Sequence, residues 1–259
     1  MANVFLRLTS SKPFLEWRPM ISVLLVLIIT VTFNLCCQRT PDITNDLQTP
    51  AFKDGEQLTY GYFLNDTLIG KTEMRIYFDI DDDIPIYCLE IVTEREEADN
   101  YISDSSVVYF RRDNFQPIWS YRMLETDFGW RTTETHYSES DIDVWVETVD
   151  GKETFSLSLS PPYFDSEMLL ALLRAVQFKR AKKYTFTVFN PLMQTITKTT
   201  ARYHTKTMIP MTSEFIECDK LQLAMPFNEI VLFYEHRQPR RLIKFQEKRT
   251  DIVAVLLSE

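Results

Sequence analysis

The chain has 259 residues, with 28 Lys and Arg against 37 Asp and Glu, for a formal charge of −9. A surface that tracks phosphates needs a clustered basic field, so this balance excludes nucleic acid as a partner. The charge is unevenly placed: residues 1–40 hold Arg7, Lys12, Arg18 and Arg39 against Glu16 alone, which is +3, and the remainder carries −12.

The first feature is an exported head. From Met20 to Phe33 the chain reads MISVLLVLIITVTF, and the uncharged stretch continues through Cys36 and Cys37 to Gln38. As a helix, Met20 to Cys37 spans roughly 27 Å, just under the roughly 30 Å of a bilayer's hydrocarbon core. A basic n-region, an apolar h-region and a closing Cys pair resemble a bacterial lipoprotein signal, which is cut before a diacylated cysteine. Leu35 precedes Cys36, and Asn34 stands three before Cys37, so neither cysteine sits in the usual lipobox. Cys37 fits slightly better and Cys36 is the second candidate for lipidation. An uncleaved signal anchor and a soluble secreted product are the alternatives, and no A-x-A cleavage site is present. All three place the body outside the cytoplasmic membrane, in the bacterial cell envelope and its periplasm. A lipidated Cys37 makes membrane attachment effectively permanent. Residues 38–51 are polar, contain proline and lack periodicity, as a short tether does.

Residues 52–259 read as one β-rich domain. Runs of Thr, Tyr, Phe, Val and Ile predict strands at Gln57–Phe63, Thr67–Asp79, Ile84–Thr93, Ser106–Arg111, Pro117–Leu124, Gly129–Tyr137, Ile142–Val149 and Glu153–Leu159. The second half predicts Lys183–Phe189, Gln194–Lys206, Thr212–Leu223, Glu229–Tyr234, Arg240–Lys248 and Asp251–Leu257. Leu64-Asn65-Asp66, Asp81-Asp82-Asp83 and Asp150-Gly151 are turn signals. Five glycines are few for so many turns, which points to long, curved antiparallel strands joined by Asp and Asn. Between the halves, Pro161-Pro162 ends a strand, Asp165 or Ser166 is placed to cap, and Met168–Phe178 predicts the one helix, near residues 165–179. Its polar stripe is only Glu167, Arg174 and Gln177, so it must be covered on most sides. The expected fold is therefore all-β with one helix: a curved antiparallel sheet, or half-barrel, wrapped around or lidded by that helix.

The segment AFKDGEQLTYGYFLNDTLIGKTEM, with Phe52, Gly55-Glu56, Leu58, Tyr60 and Gly70, resembles the opening motif of the exported bacterial proteins grouped as the domain-of-unknown-function 3108 family (DUF3108). The helix DSEMLLALLRAVQF and the last strands are similar to that family's as well. Asn65-Asp66 departs from it, standing in a turn the family often builds with glycine. The resemblance implies a periplasmic or outer-membrane domain similar to the half-barrel of the Lol lipoprotein carriers, with a helix-lidded apolar cavity. It implies no catalytic residue.

No constellation for chemistry emerges from the residues, and the expectation is a non-enzymatic protein without cofactor or metal. His136, His204 and His236 stand on separate predicted elements without ligand spacing. Asp79, Asp81 and Asp83 mimic a calcium loop but have Ile84 where its glycine belongs. No G-x-S-x-G or glycine-rich loop occurs. Cys88 and Cys218 are a candidate disulfide in an oxidising compartment, although both lie in apolar runs where a lone cysteine behaves as a small buried hydrophobe. The aromatic load of 18 Phe, 12 Tyr and 4 Trp builds a core, or else lines a groove for an acyl chain or lipidated client. The candidate lining is Tyr60, Tyr62, Tyr109, Trp119, Tyr121, Trp130, Trp145 and Phe186 on strands, lidded by Met168, Leu169, Leu172, Leu173 and Val176. The partners expected are the membrane, through the anchor, and a hydrophobic ligand. The other reading is a scaffold with a filled core that holds an envelope protein.

Overall fold

The computed structural model describes residues 46–258, except 51, 98, 99, 181, 213 and 227. The head, with Cys36 and Cys37, lies outside the described residues. Among the described residues no helix is long and apolar enough to cross a membrane.

Among the described residues, fifteen strands form one sheet. The first eight run in sequence: β1 (Glu56–Leu64), β2 (Thr67–Asp81), β3 (Ile84–Glu97), β4 (Asn100–Arg111), β5 (Pro117–Thr126), β6 (Gly129–Tyr137), β7 (Asp141–Thr148) and β8 (Gly151–Ser158). After β9 (Phe164–Asp165) and helix α1 (Leu169–Ala175) come β10 (Lys183–Asn190), β11 (Thr195–Pro210), β12 (Phe215–Ala224), β13 (Glu229–Glu235), β14 (Leu242–Glu247) and β15 (Val253–Ser258). The spatial order is β8 to β1, then β15 to β9, so two meanders are joined by the antiparallel pairing of β1 with β15. Only β9 runs parallel to its neighbour, β10.

Connection lengths show why this sheet must curl. Laid flat, fifteen strands at 4.7–4.9 Å spacing would be ~67 Å wide. Residues 159–163 link one edge strand, β8, directly to the other, β9, and reach at most roughly 20 Å. The edges must therefore approach each other. Their gap is closed by side chains: Tyr137, Ile142, Val144 and Val146 pack with Tyr163 and Phe189 in a small second core. The Tyr163 hydroxyl donates to the Ser138 carbonyl at 2.8 Å.

The helix fills the interior. Leu169, Ala171, Leu172, Leu173, Arg174 and Ala175 are all buried, and they join the inward residues of both meanders in the main core. This is the covering that the nearly all-apolar sequence of α1 requires. The helix is shorter than the pattern predicts, because Val176 turns extended and bridges to Leu47. Gln48 N–H donates to the Ala175 carbonyl, and Gln177 N–H to that of Asp46. The end of the expected tether is thus docked on the helix, with Asp46 paired to Lys179 and Lys182.

The turns explain the glycine economy. The two-residue loops Asn65-Asp66 and Asp82-Asp83 have positive φ throughout, as a type I′ hairpin requires, and Asn and Asp tolerate that region best after glycine. The Asp run that mimics a calcium loop is such a turn. Gly70 serves another purpose: a Cβ there would come within 2.3 Å of the Glu94 carbonyl.

Strand β4 begins six residues before its predicted start. Residues 100–105 are mostly polar, with Ile102 the one aliphatic residue, but they pair with the far half of β3, so backbone pairing rather than apolar burial extends the strand. Cys88 and Cys218 are both buried and free. They stand on β3 and β12, with β2, β1, β15, β14 and β13 between them in the sheet, which corrects the disulfide expectation.

Candidate functional site

Beside α1, between it and the inner face of β1–β4 and β14, lies a pocket of about 230 Å³. Its walls follow from strand pairing. Tyr60 stands opposite Thr72, Thr72 opposite Thr93, and Thr93 opposite Asp104, so these four side chains share one face of the sheet. One register step along, Met74 pairs with Ile91 and Arg95 with Ile102. Tyr62, Leu170, Leu242 and Phe245 complete the apolar part, and Ser166, Glu167 and Arg174 enter from the helix side. The pocket is therefore amphipathic.

Two charged assemblies flank it. In the first, the Arg122 guanidinium donates Nε–H to Asp104 at 2.9 Å and Nη2–H to the same carboxylate at 2.5 Å, and its Nη1–H reaches Glu167 at 2.6 Å. Behind them, Asp165 is completely buried and accepts from the Tyr137 hydroxyl and, at 2.8 Å, from the Glu167 N–H. Three carboxylates thus surround one guanidinium. Desolvation raises the Glu167 pKa to about 7, with the charges of Asp165 and Asp104 adding to it and Arg122 opposing it. Desolvation also raises that of Asp165, against the pull of its hydrogen bonds. Burial disfavours the charge on Arg122, but the Asp104 hydrogen bond and the two neighbouring carboxylates outweigh it and keep the guanidinium protonated.

In the second assembly Arg174, on the helix, is 1% exposed and pairs with Glu56 at 2.5 Å. It also donates to the Pro239 carbonyl at 3.1 Å and stacks over the Phe52 ring at 4.5 Å. Arg240 donates to the Val176 carbonyl at 2.6 Å, placing a cation at the helix C-terminus. The opening motif gains a structural meaning here: Phe52 and Glu56 are the stacking and charge partners of the helix's buried arginine, Gly55 turns the chain between them with φ +72°, and Tyr60 lines the pocket. Among the donors on pocket-lining residues, the Tyr60 hydroxyl and Arg174 Nε are buried without a hydrogen-bond partner.

Of the expected lining, only Tyr60 and Tyr62 reach this pocket. Phe186, Met168, Leu169, Leu172, Leu173 and Val176 belong to a filled core, because the helix packs against both meanders and leaves space only along Leu170 and Arg174. Tyr109, Trp119, Tyr121, Trp130 and Trp145 project from the opposite face, since each pairs in register with outward residues: Tyr109 with Trp119, Tyr121 with Glu134, Trp130 with Glu125 and Trp145 with Glu134. The histidines are apart: His136 bonds Glu134, His204 bonds Gln222 and His236 bonds Asp219. Sequence reasoning missed Arg95, Asp104 and Arg122. The available signal was the helix's short polar stripe, whose Glu167 and Arg174 each organise one charged assembly.

These features define an open, β-barrel-like sheet curled around a helix, with an amphipathic pocket beside it. Residues 67–250 match the family model described as "Protein of unknown function (DUF3108)", and the chain belongs to that family. A solved relative in fold is the crystal structure of a beta-barrel-like protein of domain of unknown function DUF1849 from Brucella abortus. It matches with a TM-score of 0.51 and 12% identity over 78% of this chain and 95% of that one. At that identity the likeness is one of fold alone. No curated protein matches the chain.

Proposed function

We propose that the protein is a non-enzymatic lipoprotein of the bacterial envelope that binds an amphipathic, lipid-like ligand in the pocket beside α1. The observation that carries this reading is that the unpartnered buried donors Tyr60 Oη and Arg174 Nε stand in a pocket whose apolar wall is Met74, Ile91, Ile102, Leu242 and Phe245. A buried donor left unsatisfied costs about 1–3 kcal/mol, and an acceptor such as a carboxylate or ester carbonyl relieves that cost. The apolar walls then take the adjoining hydrocarbon. A dry cavity of about 150 Å³ admits benzene, so about 230 Å³ accommodates a short apolar segment rather than a complete acyl chain. The envelope location rests on the head: a basic, apolar, Cys-terminated leader on a body of charge −12, which relies on an anchor to stay at an anionic membrane.

Native mass spectrometry of the full chain, extracted gently from membranes, tests the ligand, together with displacement of a fluorescent fatty acid. Expected are a co-purified amphiphile, saturable fatty-acid binding, about five- to tenfold weaker binding in Tyr60→Phe, and loss of binding in Ile91→Trp, which fills the pocket. A homogeneous ligand-free mass without fatty-acid binding would overturn the reading and leave the scaffold alternative. For the anchor, labelled palmitate should be incorporated in cells and lost in Cys37→Ser or Cys36→Ser. Label retained in both variants would refute lipidation at this site.

A further inference from the structure

The face opposite the pocket carries a basin of about 600 Å³ over strands β5–β8. Register pairing describes its plan. On β6 the small Thr132 sits between Trp130 and Glu134 on the same face, paired on one side with Met123 of β5 and on the other with Glu147 of β7. Tyr121 and Trp145 flank Glu134, and Glu125 flanks Trp130. With strands about 4.8 Å apart and same-face neighbours about 6.8 Å apart along a strand, Thr132 is a floor ringed by three aromatic side chains and three carboxylates.

The walls are held in place. The Glu134 carboxylate accepts from Trp119 Nε1 and His136 Nε2, each at 3.1 Å. The His136 ring stands edge-on to Trp145 at 4.9 Å, and Trp119 lies against Tyr121 at 6.4 Å. Trp145 nevertheless remains 43% exposed. On this face the lining holds three glutamates, at 125, 134 and 147, against one ammonium, Lys152. That lysine pairs with Glu147 at 2.9 Å through a side chain 76% exposed, a contact that contributes little. Among the described residues no group of three His, Cys, Asp or Glu converges as metal ligands do.

We propose that this basin binds an organic ammonium ion, of the quaternary, choline-like class. Aromatic faces attract a cation through their quadrupole, and a diffuse quaternary ammonium is the form that gives up its hydration most readily. The surplus of carboxylates supplies the complementary charge and disfavours anionic ligands. A neutral apolar ligand would use the rings but not the glutamates. The basin lies on the other side of the sheet from the helix-side pocket, and this inference does not depend on the function proposed for that pocket.

The test uses the full chain in a non-ionic detergent, titrated with choline or tetramethylammonium chloride and followed by tryptophan fluorescence and calorimetry. The control is 3,3-dimethylbutan-1-ol, the neutral isostere of choline. Expected are saturable binding of both cations at about millimolar concentrations, at least tenfold weaker binding of the isostere, and weakening with salt. Trp145→Leu, which keeps apolar bulk at an exposed position, should weaken choline about three- to thirtyfold. Glu125→Gln should weaken it a few-fold and flatten the salt dependence. Equal binding of choline and isostere, unchanged affinity in Trp145→Leu, or no saturation by about 50 mM would overturn the proposal.

Discussion

Glu167 offers the most direct test of the buried charge assembly. An isolated glutamate titrates near 4.5, and burial beside Asp165 and Asp104 raises this one to about 7. The folded state therefore holds a proton that the unfolded chain has already released between those two values. Stability from this group is fullest at low pH and is lost as pH rises, starting near the unfolded value and ending above about 7. That rise corresponds to roughly 3 kcal/mol, most of it falling between pH 5 and pH 8. Glu167→Gln removes the ionisation while keeping an oxygen to accept from Arg122, whose bidentate contact with Asp104 remains. Urea unfolding should then show the variant and the natural protein within about 1 kcal/mol at pH 5. At pH 8 the variant should be more stable by roughly 2–3 kcal/mol, about 1 M in midpoint. A natural protein whose stability does not fall between pH 5 and 8, or a variant that falls in parallel with it, would refute the reasoning. The first result would mean that Arg122 keeps Glu167 ionised, and the second that another group is responsible.

Two further outcomes follow from the same interior. Arg174→Ala leaves Glu56 at the rim of the core without its partner and should destabilise by about 3–5 kcal/mol in denaturant unfolding, whereas Arg174→Met with Glu56→Gln should recover most of that loss; equal losses in the two would show that the pair itself is not what matters. Because Cys88 and Cys218 are free and buried, a reducing agent should leave the melting temperature unchanged, and a fall of the size expected for 2–4 kcal/mol would mean that a disulfide is present after all.

The elements of this fold were largely legible in the sequence because each strand carries β-branched and aromatic residues between Asn, Asp or Pro punctuation, and because α1 is the single segment of residues 52–259 that reads as a helix. Boundaries failed where pairing, not composition, decides them. Asn100–Ser105 enters β4 although most of its residues are polar, and Val176 leaves the helix to meet Leu47. Register was the harder loss. The lining expected from aromatic content treated all strand aromatics as equivalent, but alternation sends Tyr60 inward while Tyr109, Trp119, Tyr121, Trp130 and Trp145 go outward. A one-residue difference in phase decides the face, and in the half-buried strands of this chain both faces carry aromatic residues, so hydrophobicity alone does not distinguish them.

The same ambiguity has a physical consequence for what the protein can do. A sheet whose outer face were simply polar would give its concave side as the one place for ligand. Here the outer face of β5–β7 carries Tyr121, Trp130 and Trp145 among glutamates, while the inner face carries Asp104, Arg122 and Glu167 among aliphatic residues. Each face thus mixes apolar area with charge, but in opposite senses. Inside, Asp104, Glu167 and Glu56 are tied to guanidinium groups and leave the Tyr60 hydroxyl and the Nε of Arg174 to meet an acceptor. Outside, the carboxylates are in excess over cations and meet solvent. An amphiphile with an acceptor head suits the first, and a cation suits the second. One strand, β5, serves both, through Arg122 on one face and Tyr121 on the other. A substitution that shifts β5 by a single residue should therefore abolish both pockets at once, whereas Tyr121→Ala or Tyr60→Phe should each affect only its own.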